Sequence, residues 1–388
     1  MRQVEWDAIL QAMLQSHPGI ADLFFAVGRP FQVEAYGKLQ KVELDPPIEE
    51  LTSYQVEQIA LLMIGSNQRL CHDLVERGSA DCSYALGTEA RFRVNIFRQK
   101  GSLGIVMRLL STKIPTLEEL ELPDIFKKMT NEKTGMILVT GATGSGKSTT
   151  LAALLNEFNL KIPGHIVTLE DPIEFVHPHK VATFSQRELG NDFDSFPNGL
   201  RAALRQAPKI ILVGELRDRD TTEIAIAAAE TGHLVLSTLH TIDAGQSVNR
   251  ILGFFEQEEV GLIRQRIADT LRYVVSQRLA PKESGGRIAV QEIMGSSLRT
   301  KECVIMGESD QRNFYDIISD SYPFGWRTFD QCLFDLYKAG EVSEETCNLY
   351  ASKRAILSRL IDSYKTSQRL AGQDKIISGL KLDATRND

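Results

Sequence analysis

The hydrophobic pattern of residues 1–110 changes between a helical period and a strand period. Apolar residues recur at helical spacing at the N-terminus, in MRQVEWDAILQAMLQ, and again over Ser53–Ile64. Short strand-like runs separate and follow these helices, at Asp22–Val27, Phe31–Val33, Cys82–Ala85, Arg91–Ile96 and Ile105–Leu109. Several short strands with interleaved helices predict a small α+β domain over residues 1–110.

The pattern changes again after residue 110. Ser111–Pro123 contains two prolines and predicts an extended linker, because proline biases the residue before it away from helix. Beyond this linker the strands become uninterrupted apolar runs, at Met136–Val139, Ile166–Leu169, Ile210–Val213 and Leu234–Leu236. Such runs suit burial on both faces, so they predict an α/β domain with a parallel sheet covered by helices. We place this domain at residues 124–365, with helices beyond Tyr273, and a polar tail at residues 366–388.

Composition narrows the class of protein. The hydrophobic fraction of 43% and the charged fraction of 24% are typical of soluble globular proteins. The formal net charge of −7 argues against a broad nucleic-acid-binding face. The five cysteines lack C-x-x-C spacing, which predicts reduced, buried side chains in a cytoplasmic protein. Because we find neither a signal peptide nor a sufficiently long apolar run for a transmembrane segment, we expect membrane association only through a partner.

The strongest chemical signal follows the apolar run that ends at Thr140. The glycines of GATGSGKST let backbone N–H groups and a helix N-terminus approach an anion closely. Lys147 is placed to reach outer phosphates, and the Ser148 hydroxyl to complete a Mg²⁺ shell. This is the full G-x-x-x-x-G-K-[ST] pattern between a strand and a helix, and the alternative is a chance glycine-rich turn. The predicted nucleotide-binding residues are Gly141, Ala142, Thr143, Gly144, Ser145, Gly146, Lys147, Ser148 and Thr149.

Two glutamates follow predicted strands of the same sheet. Glu170 ends the run IVTLE, and the carboxyl ends of such strands face the ligand crevice of an α/β sheet, although a solvated strand-end turn fits equally well. Glu215 follows IILVG, where P-loop enzymes carry the acid that holds Mg²⁺ or its waters. A carboxylate there can also polarise the attacking water. We therefore predict Glu170 and Glu215 as catalytic residues, and Ser148 and Glu215 as metal ligands.

Histidine and arginine positions add candidates with open alternatives. His240 follows the strand LVLSTL at the same sheet edge, where an imidazole can sense a phosphate, although a structural histidine is the commoner outcome. Arg91 and Arg93 share one face of a predicted strand, and Arg108 lies in the next strand. Such arginines commonly form a solvated face. Their alternative role is to donate to phosphates, and since one P-loop does not need so many cations, the nucleotide would be a neighbouring subunit's.

Ordered blocks over nearly the whole chain resemble the secretion-type P-loop ATPases, and among them the PilT-like type IV pilus retraction ATPases of twitching motility. The blocks are ADL…VG…P…YGKL (Ala21 to Leu39), RFRVNIF, GATGSGKSTT, TLEDPIEFVH, SQRELG, ILVGELRD, AAETGHLVLSTLHT and FGWRTFDQCLFDLY. The chain lacks the cysteine-rich zinc module of the pilus-extension and type II secretion relatives. It departs from the retraction group at Ser296–Ser309, where SSLRTKECVIMGES replaces AIRNLIRE, so the resemblance is weaker for retraction than for ATP hydrolysis.

The resemblance implies an N-terminal PAS-like domain and a RecA-like ATPase domain that assemble into a homo-hexamer. It also implies ATP and Mg²⁺ as ligands and roles for Glu170, Glu215, His240 and the arginines Arg91, Arg93 and Arg108. The implied function is a cytoplasmic motor, peripheral at the inner membrane through a pilus platform protein, that hydrolyses Mg-ATP to retract a pilus. Two alternatives remain: an auxiliary paralogue that works with another pilus ATPase, and a DNA-translocating motor, which the acidic composition disfavours.

Overall fold

A computed structural model describes residues 2–87, 89–110 and 113–379, with side chains as far as residue 368. The chain divides into two compact units. The first comprises Met1–Pro115 and Phe158–Gly214, and the second comprises Thr116–Glu157 and Glu215–Asp388. The domain boundaries at residues 110, 123 and 365 stay predictions from the sequence pattern.

The described residues form helices and strands in mixed order. The helices are α1 (Gln3–Ser16), α2 (Ser53–Ile64), α3 (Gln68–Glu76), α4 (Ile125–Met129), α5 (Lys147–Lys161), α6 (Phe196–Ala203), α7 (Arg219–Glu230), α8 (Ala244–Leu252), α9 (Val260–Thr270), α10 (Leu298–Met306), α11 (Phe314–Asp320), α12 (Phe329–Lys338), α13 (Glu344–Tyr350) and α14 (Arg354–Gly379). The strands are β1 (Ile20–Ala26), β2 (Gln32–Ala35), β3 (Lys38–Lys41), β4 (Ser79–Leu86), β5 (Ala90–Gln99), β6 (Ser102–Leu110), β7 (Gly135–Thr140), β8 (His165–Glu170), β9 (Thr183–Glu188), β10 (Ile210–Val213), β11 (Leu234–Leu239), β12 (Leu271–Pro281) and β13 (Arg287–Gly295).

The first unit begins with a six-stranded antiparallel sheet in the order β3-β2-β1-β6-β5-β4. Alternate residues of β5, including Phe92 and Val94, are fully buried against one face of this sheet. Trp6 of α1 and Ile59 of α2 belong to the same hydrophobic core. Because the side chains of a strand alternate between its faces, Arg91 and Arg93 lie on the opposite side from this core. This arrangement confirms the predicted N-terminal α+β fold.

The same unit contains three parallel strands in the order β10-β8-β9. The central residues of β8 are buried, as its uninterrupted apolar run predicts. In the register of β8 and β9, Thr168 pairs with Gln186 and Glu170 pairs with Glu188. Two polar residues from each strand therefore occupy neighbouring positions on the ribbon.

The second unit contains the strand order β13-β12-β7-β11, in which β7, β11 and β12 are parallel and β13 is antiparallel. The prediction of helices directly beyond Tyr273 is wrong there, because β12 and β13 form a hairpin. Its turn ends at Gly285 and Gly286, which both have positive φ angles. The polar pair Ser276 and Gln277 interrupts the apolar pattern of β12, yet both residues are buried, and this hid the strand from a pattern analysis.

The predicted extended linker also differs from the structure. Residues 111 and 112 lie outside the described part, but Thr116–Leu122 forms a turn. The Thr116 backbone N–H donates to the Glu119 carboxylate at 2.9 Å, and the Glu119 N–H donates to the Thr116 hydroxyl at 3.1 Å. This reciprocal T-x-x-E arrangement is a local capping signal that the two prolines obscured.

The C-terminal helix and one of the cysteines differ from what the sequence predicts. Helix α14 extends through the first part of the predicted polar tail to Gly379, and residues 380–388 lie outside the described part. All five cysteines are free; Cys71 is exposed, against the prediction, and the other four are buried. No helix among the described residues is long and apolar enough to cross a membrane.

Candidate functional site

The loop between β7 and α5 adopts the backbone conformation that its glycines permit. Gly141, Gly144 and Gly146 have φ angles of +143°, +78° and +88°. A Cβ atom at Gly141 would lie 2.4 Å from the Gln277 carbonyl oxygen, and one at Gly146 would lie 2.8 Å from the Gln277 Nε2. The close approach of β12 therefore excludes side chains at these two positions.

Gln277 supports this loop from β12 through its side-chain amide. Its Nε2 donates to the Ser145 carbonyl at 2.7 Å, and its Oε1 accepts from the Thr150 hydroxyl at 2.9 Å. Both bonds are buried, so they hold the end of the loop and the first turn of α5 in a fixed relation. The sequence does not mark Gln277, because its partners in the loop and in α5 lie more than a hundred positions away and no local spacing points to it.

The predicted phosphate-binding groups lie around an accessible loop. Ala142, Thr143 and Gly144 are exposed, whereas Ser148 and Thr149 at the start of α5 are half-buried. The Lys147 Nζ donates to the Gly141 carbonyl at 2.9 Å and the Ala142 carbonyl at 3.0 Å. These groups, with the N-terminus of a long helix, make a cradle suited to an anion.

The loop also fits a Mg²⁺ ion held together with phosphates. The buried Ser145 Oγ has no hydrogen-bond partner among the described residues, so the cradle holds an unused polar group. No group of three or more His, Cys, Asp or Glu residues in the described ranges is arranged to hold a metal. Mg²⁺ does not require such a cage, because it is commonly bound by one or two protein oxygens and substrate phosphates. The Ser148 hydroxyl and the Glu215 carboxylate are hard oxygen donors of this kind.

Glu215 and His240 come together within the second unit, as the sequence predicted for one strand edge. The Glu215 Oε2 lies 2.8 Å from the Arg217 Nε and 3.5 Å from the His240 Nε2. The Leu216 N–H donates to the Thr238 carbonyl at 3.2 Å, which fixes the backbone beside this carboxylate. Glu215 is mostly buried, whereas about half of the His240 side chain is exposed. The histidine can therefore meet a ligand while contacting the carboxylate.

Glu170 lies in the first unit, at the end of β8, and is partly buried. Its Oε1 accepts from the Thr168 hydroxyl at 2.6 Å and from the Gln186 Nε2 at 3.1 Å. Burial raises the pKa of Glu170 to about 7, although both hydrogen bonds favour the charged form. These contacts differ from those of a solvated strand-end turn. They give a carboxyl group that can gain or lose a proton near neutral pH.

Comparisons with known proteins agree with this geometry. The sequence model of the family described as Type II/IV secretion system protein matches residues 78–319. The type IV pilus ATPase PilU of Pseudomonas aeruginosa is 36% identical over 388 residues, covering 99% of this chain and 98% of that relative. The type IV pilus retraction ATPase PilT of the same organism is 40% identical over 327 residues, covering 84% and 93%. The chain belongs to the PilT- and PilU-type ATPases of this family.

A solved structure supports the same assignment for this pilus ATPase. The crystal structure of the pilus retraction motor PilT with bound ADP aligns with a TM-score of 0.80 and 34% sequence identity. The alignment covers 92% of this chain and 99% of that one. The predicted α/β secretion-ATPase fold and the predicted ATPase class are therefore confirmed.

The three candidate arginines of this pilus ATPase have different surroundings within the first unit. The Arg91 Nη2 binds the Glu188 carboxylate at 2.8 Å, and the Arg91 Nε donates to the Ile173 carbonyl at 3.2 Å. The Arg108 Nε binds Asp22 at 2.8 Å. Arg93 is exposed and lies opposite Arg108 in the sheet register, and its side chain makes no hydrogen bond or ion pair with the described residues. Arg91 and Arg108 thus have side-chain partners in their own chain, whereas the described residues offer none to the Arg93 side chain.

These surroundings predict unequal effects on stability. Replacement of Arg91 by alanine should lower the free energy of unfolding by about 3 kcal/mol, because the Glu188 side chain is only 5% exposed and would lose its cation. Arg93→Ala should change it by less than about 0.5 kcal/mol, as at most exposed positions. Urea denaturation followed by circular dichroism measures both values. Equal losses for the two variants would contradict a structural role specific to Arg91.

Proposed function

We propose that this chain is a hexameric, cytoplasmic motor that hydrolyses Mg-ATP and drives type IV pilus retraction. The observation that carries the proposal is the glycine loop with Lys147, held against β12 by Gln277. Family membership supports the pilus role, since relatives over most of the chain are named as pilus ATPases. A pilus platform protein at the inner membrane is the proposed docking partner.

The proposed division of labour follows the surroundings of each side chain. Lys147 would exchange its carbonyl partners for the outer phosphates of ATP, which carry more negative charge. Ser148 and Glu215 would hold Mg²⁺, which neutralises charge that develops on the transferring phosphoryl group. Glu170, with a pKa of about 7, is suited to accept a proton from the attacking water. His240 would transmit the state of the phosphate site through its contact with Glu215.

A second candidate is an auxiliary ATPase that works with a paralogous pilus motor. The alignment with PilU covers 99% of this chain, whereas the alignment with PilT covers 84%. The block that departs from the retraction pattern, Ser296–Ser309, contains α10, on which Leu298 and Met306 are exposed. This departure favours a specialised member of the group over a direct equivalent of PilT.

The first test removes the P-loop lysine. Lys147→Ala should abolish ATP turnover by the purified chain, because the outer phosphates lose their cation, while thermal unfolding stays unchanged. In cells carrying only this variant, fluorescently labelled pili should form but not retract. Retraction that continues with reduced force would favour the auxiliary candidate. Turnover by the variant at the wild-type rate would contradict the ATPase site.

The second test addresses the two glutamates. Glu170→Gln and Glu215→Gln should each lower kcat by about a hundredfold or more while ATP still binds, because a proton acceptor or metal ligand acts mainly in the transition state. Wild-type turnover should fall as the pH is lowered through about 7, since protonated Glu170 cannot accept a proton. Steady-state rates from pH 5.5 to 9 and nucleotide binding by fluorescence measure these effects. Wild-type rates in both variants would refute the assignment.

The third test concerns Arg93, for which we propose action on ATP held by a neighbouring subunit of the ring. An arginine supplied by another subunit neutralises phosphoryl charge and is worth about a thousandfold in rate. Arg93→Ala and Lys147→Ala subunits should each be inactive alone, and mixed rings should recover activity. Subunit exchange is verified by native mass spectrometry. An active Arg93→Ala ring excludes the role, and absence of rescue in co-assembled rings places any action within one chain.

A further inference from the structure

The segment SQRELG, Ser185 to Gly190, supplies one side of the β8–β9 ribbon. Thr168 and Glu170 of β8 pair in register with Gln186 and Glu188 of β9. Since side chains two residues apart share a face, a hydroxyl, an amide and two carboxylates occupy the same face of this ribbon. The carboxylates of Glu170 and Glu188 differ in the hydrogen bonds that they accept.

Glu188 has its oxygens fully engaged. One oxygen accepts from the Ser83 hydroxyl and the Asn191 amide, both at 2.7 Å. The other accepts from the Arg91 guanidinium at 2.8 Å and the Ile173 backbone N–H at 3.1 Å. A carboxylate with four donors is well satisfied in a buried place, so Glu188 is a structural group.

Glu170 differs because its hydrogen bonds converge on one oxygen. Thr168 and Gln186 both donate to Oε1, and Oε2 accepts no hydrogen bond from the described residues. Hydrogen bonds from the described residues therefore hold the Glu170 carboxyl group through one of its two oxygens. Its second oxygen remains available to a water or a ligand.

The Gln186 amide uses both of its donors and its acceptor. Its Nε2 donates to the Glu170 Oε1 at 3.1 Å and to the Phe175 carbonyl at 2.8 Å, while its Oε1 accepts from the His177 N–H at 2.7 Å. The reversed amide would place its oxygen against a carboxylate and a carbonyl, and its nitrogen against an N–H group. The network thus selects one orientation.

We propose that Gln186 is a positioning residue for ATP hydrolysis, which holds Glu170 by one oxygen and ties it to Phe175–His177 so that the other oxygen keeps a single direction. This inference rests on the proposed role of Glu170 and is independent of the pilus role. Gln186 does not itself touch the reacting atoms in this account. Thr168 provides the second bond to the same oxygen.

The hydrogen bond from Gln186 also influences the pKa of Glu170. Burial raises the pKa of Glu170 to about 7, the bonds from Thr168 and Gln186 lower it, and among charged neighbours Glu174 raises it and Arg91 lowers it. Loss of the Gln186 bond should therefore raise this pKa further. Because the deprotonated form accepts the proton, the acidic limb of the kcat profile should move to higher pH.

The test compares ATP turnover against pH for the full chain and its variants. Gln186→Ala removes all three bonds, Gln186→Glu places a second carboxyl beside Glu170, and Thr168→Val removes only the other bond to Oε1. We expect kcat to fall about tenfold or more with KM for ATP within about twofold. The acidic limb should shift up by about half a pH unit for Gln186→Ala and Thr168→Val. The shift should be larger for Gln186→Glu, because like charges oppose ionisation.

Ser185→Ala is the matched control, because Ser185 precedes Gln186 on the opposite face of β9 and contacts the His165 Nε2 at 2.8 Å. It should leave the acidic limb in place. Unshifted limbs in Gln186→Ala and Thr168→Val, with Glu170→Gln nearly inactive, would overturn the positioning role alone. Wild-type turnover in Glu170→Gln would instead overturn the proposed role of Glu170, and the inference with it. If Gln186→Ala does not fold, the isosteric Thr168→Val and Gln186→Glu variants decide the result.

Discussion

A carboxylate withdrawn from water must receive hydrogen bonds from its surroundings, and the first unit meets this requirement at Glu188. Two of its donors, Ser83 and Arg91, come from the N-terminal antiparallel sheet. The other two, Ile173 and Asn191, follow β8 and β9. Because all four converge on one side chain, the antiparallel sheet and the turn beyond Glu170 cannot move independently without leaving a buried charge unsatisfied.

The contrast between Glu170 and Glu188 illustrates how surroundings decide what a residue type can do. The two carboxylates are paired in register on adjacent strands. Glu188 has a cation and three further donors, whereas Glu170 is partly buried and has two donors, both on one oxygen. One group therefore supports the structure, and the other keeps a proton affinity near neutrality.

The sequence predicts those parts of the fold and site whose causes are local. Uninterrupted apolar runs predict β7, β8, β10 and β11, and the glycine motif predicts the loop after β7. The sequence does not predict the polar partners of the site, because Gln277 lies far along the chain from the loop that it binds and Gln186 meets Glu170 only through the pairing of β8 with β9. The sequence likewise indicates only a surface cation at Arg91, because its ion pair with Glu188 joins residues that are far apart in the chain.

The β12–β13 hairpin carries a constraint on how this chain can change in length. Gln277 reaches the glycine loop because β12 pairs in parallel with β7, with Ser276 opposite Thr140 at the end of β7. Inserting or deleting one residue within β12 would turn that amide to the other face and bring Ser276 or Arg278 into its place. Residues 282–286 of the turn do not contribute to the contact between Gln277 and the glycine loop, so the length of the turn is not restricted in this way. We therefore expect length differences among related chains to occur at this turn, while β12 itself keeps a constant length between α9 and the turn.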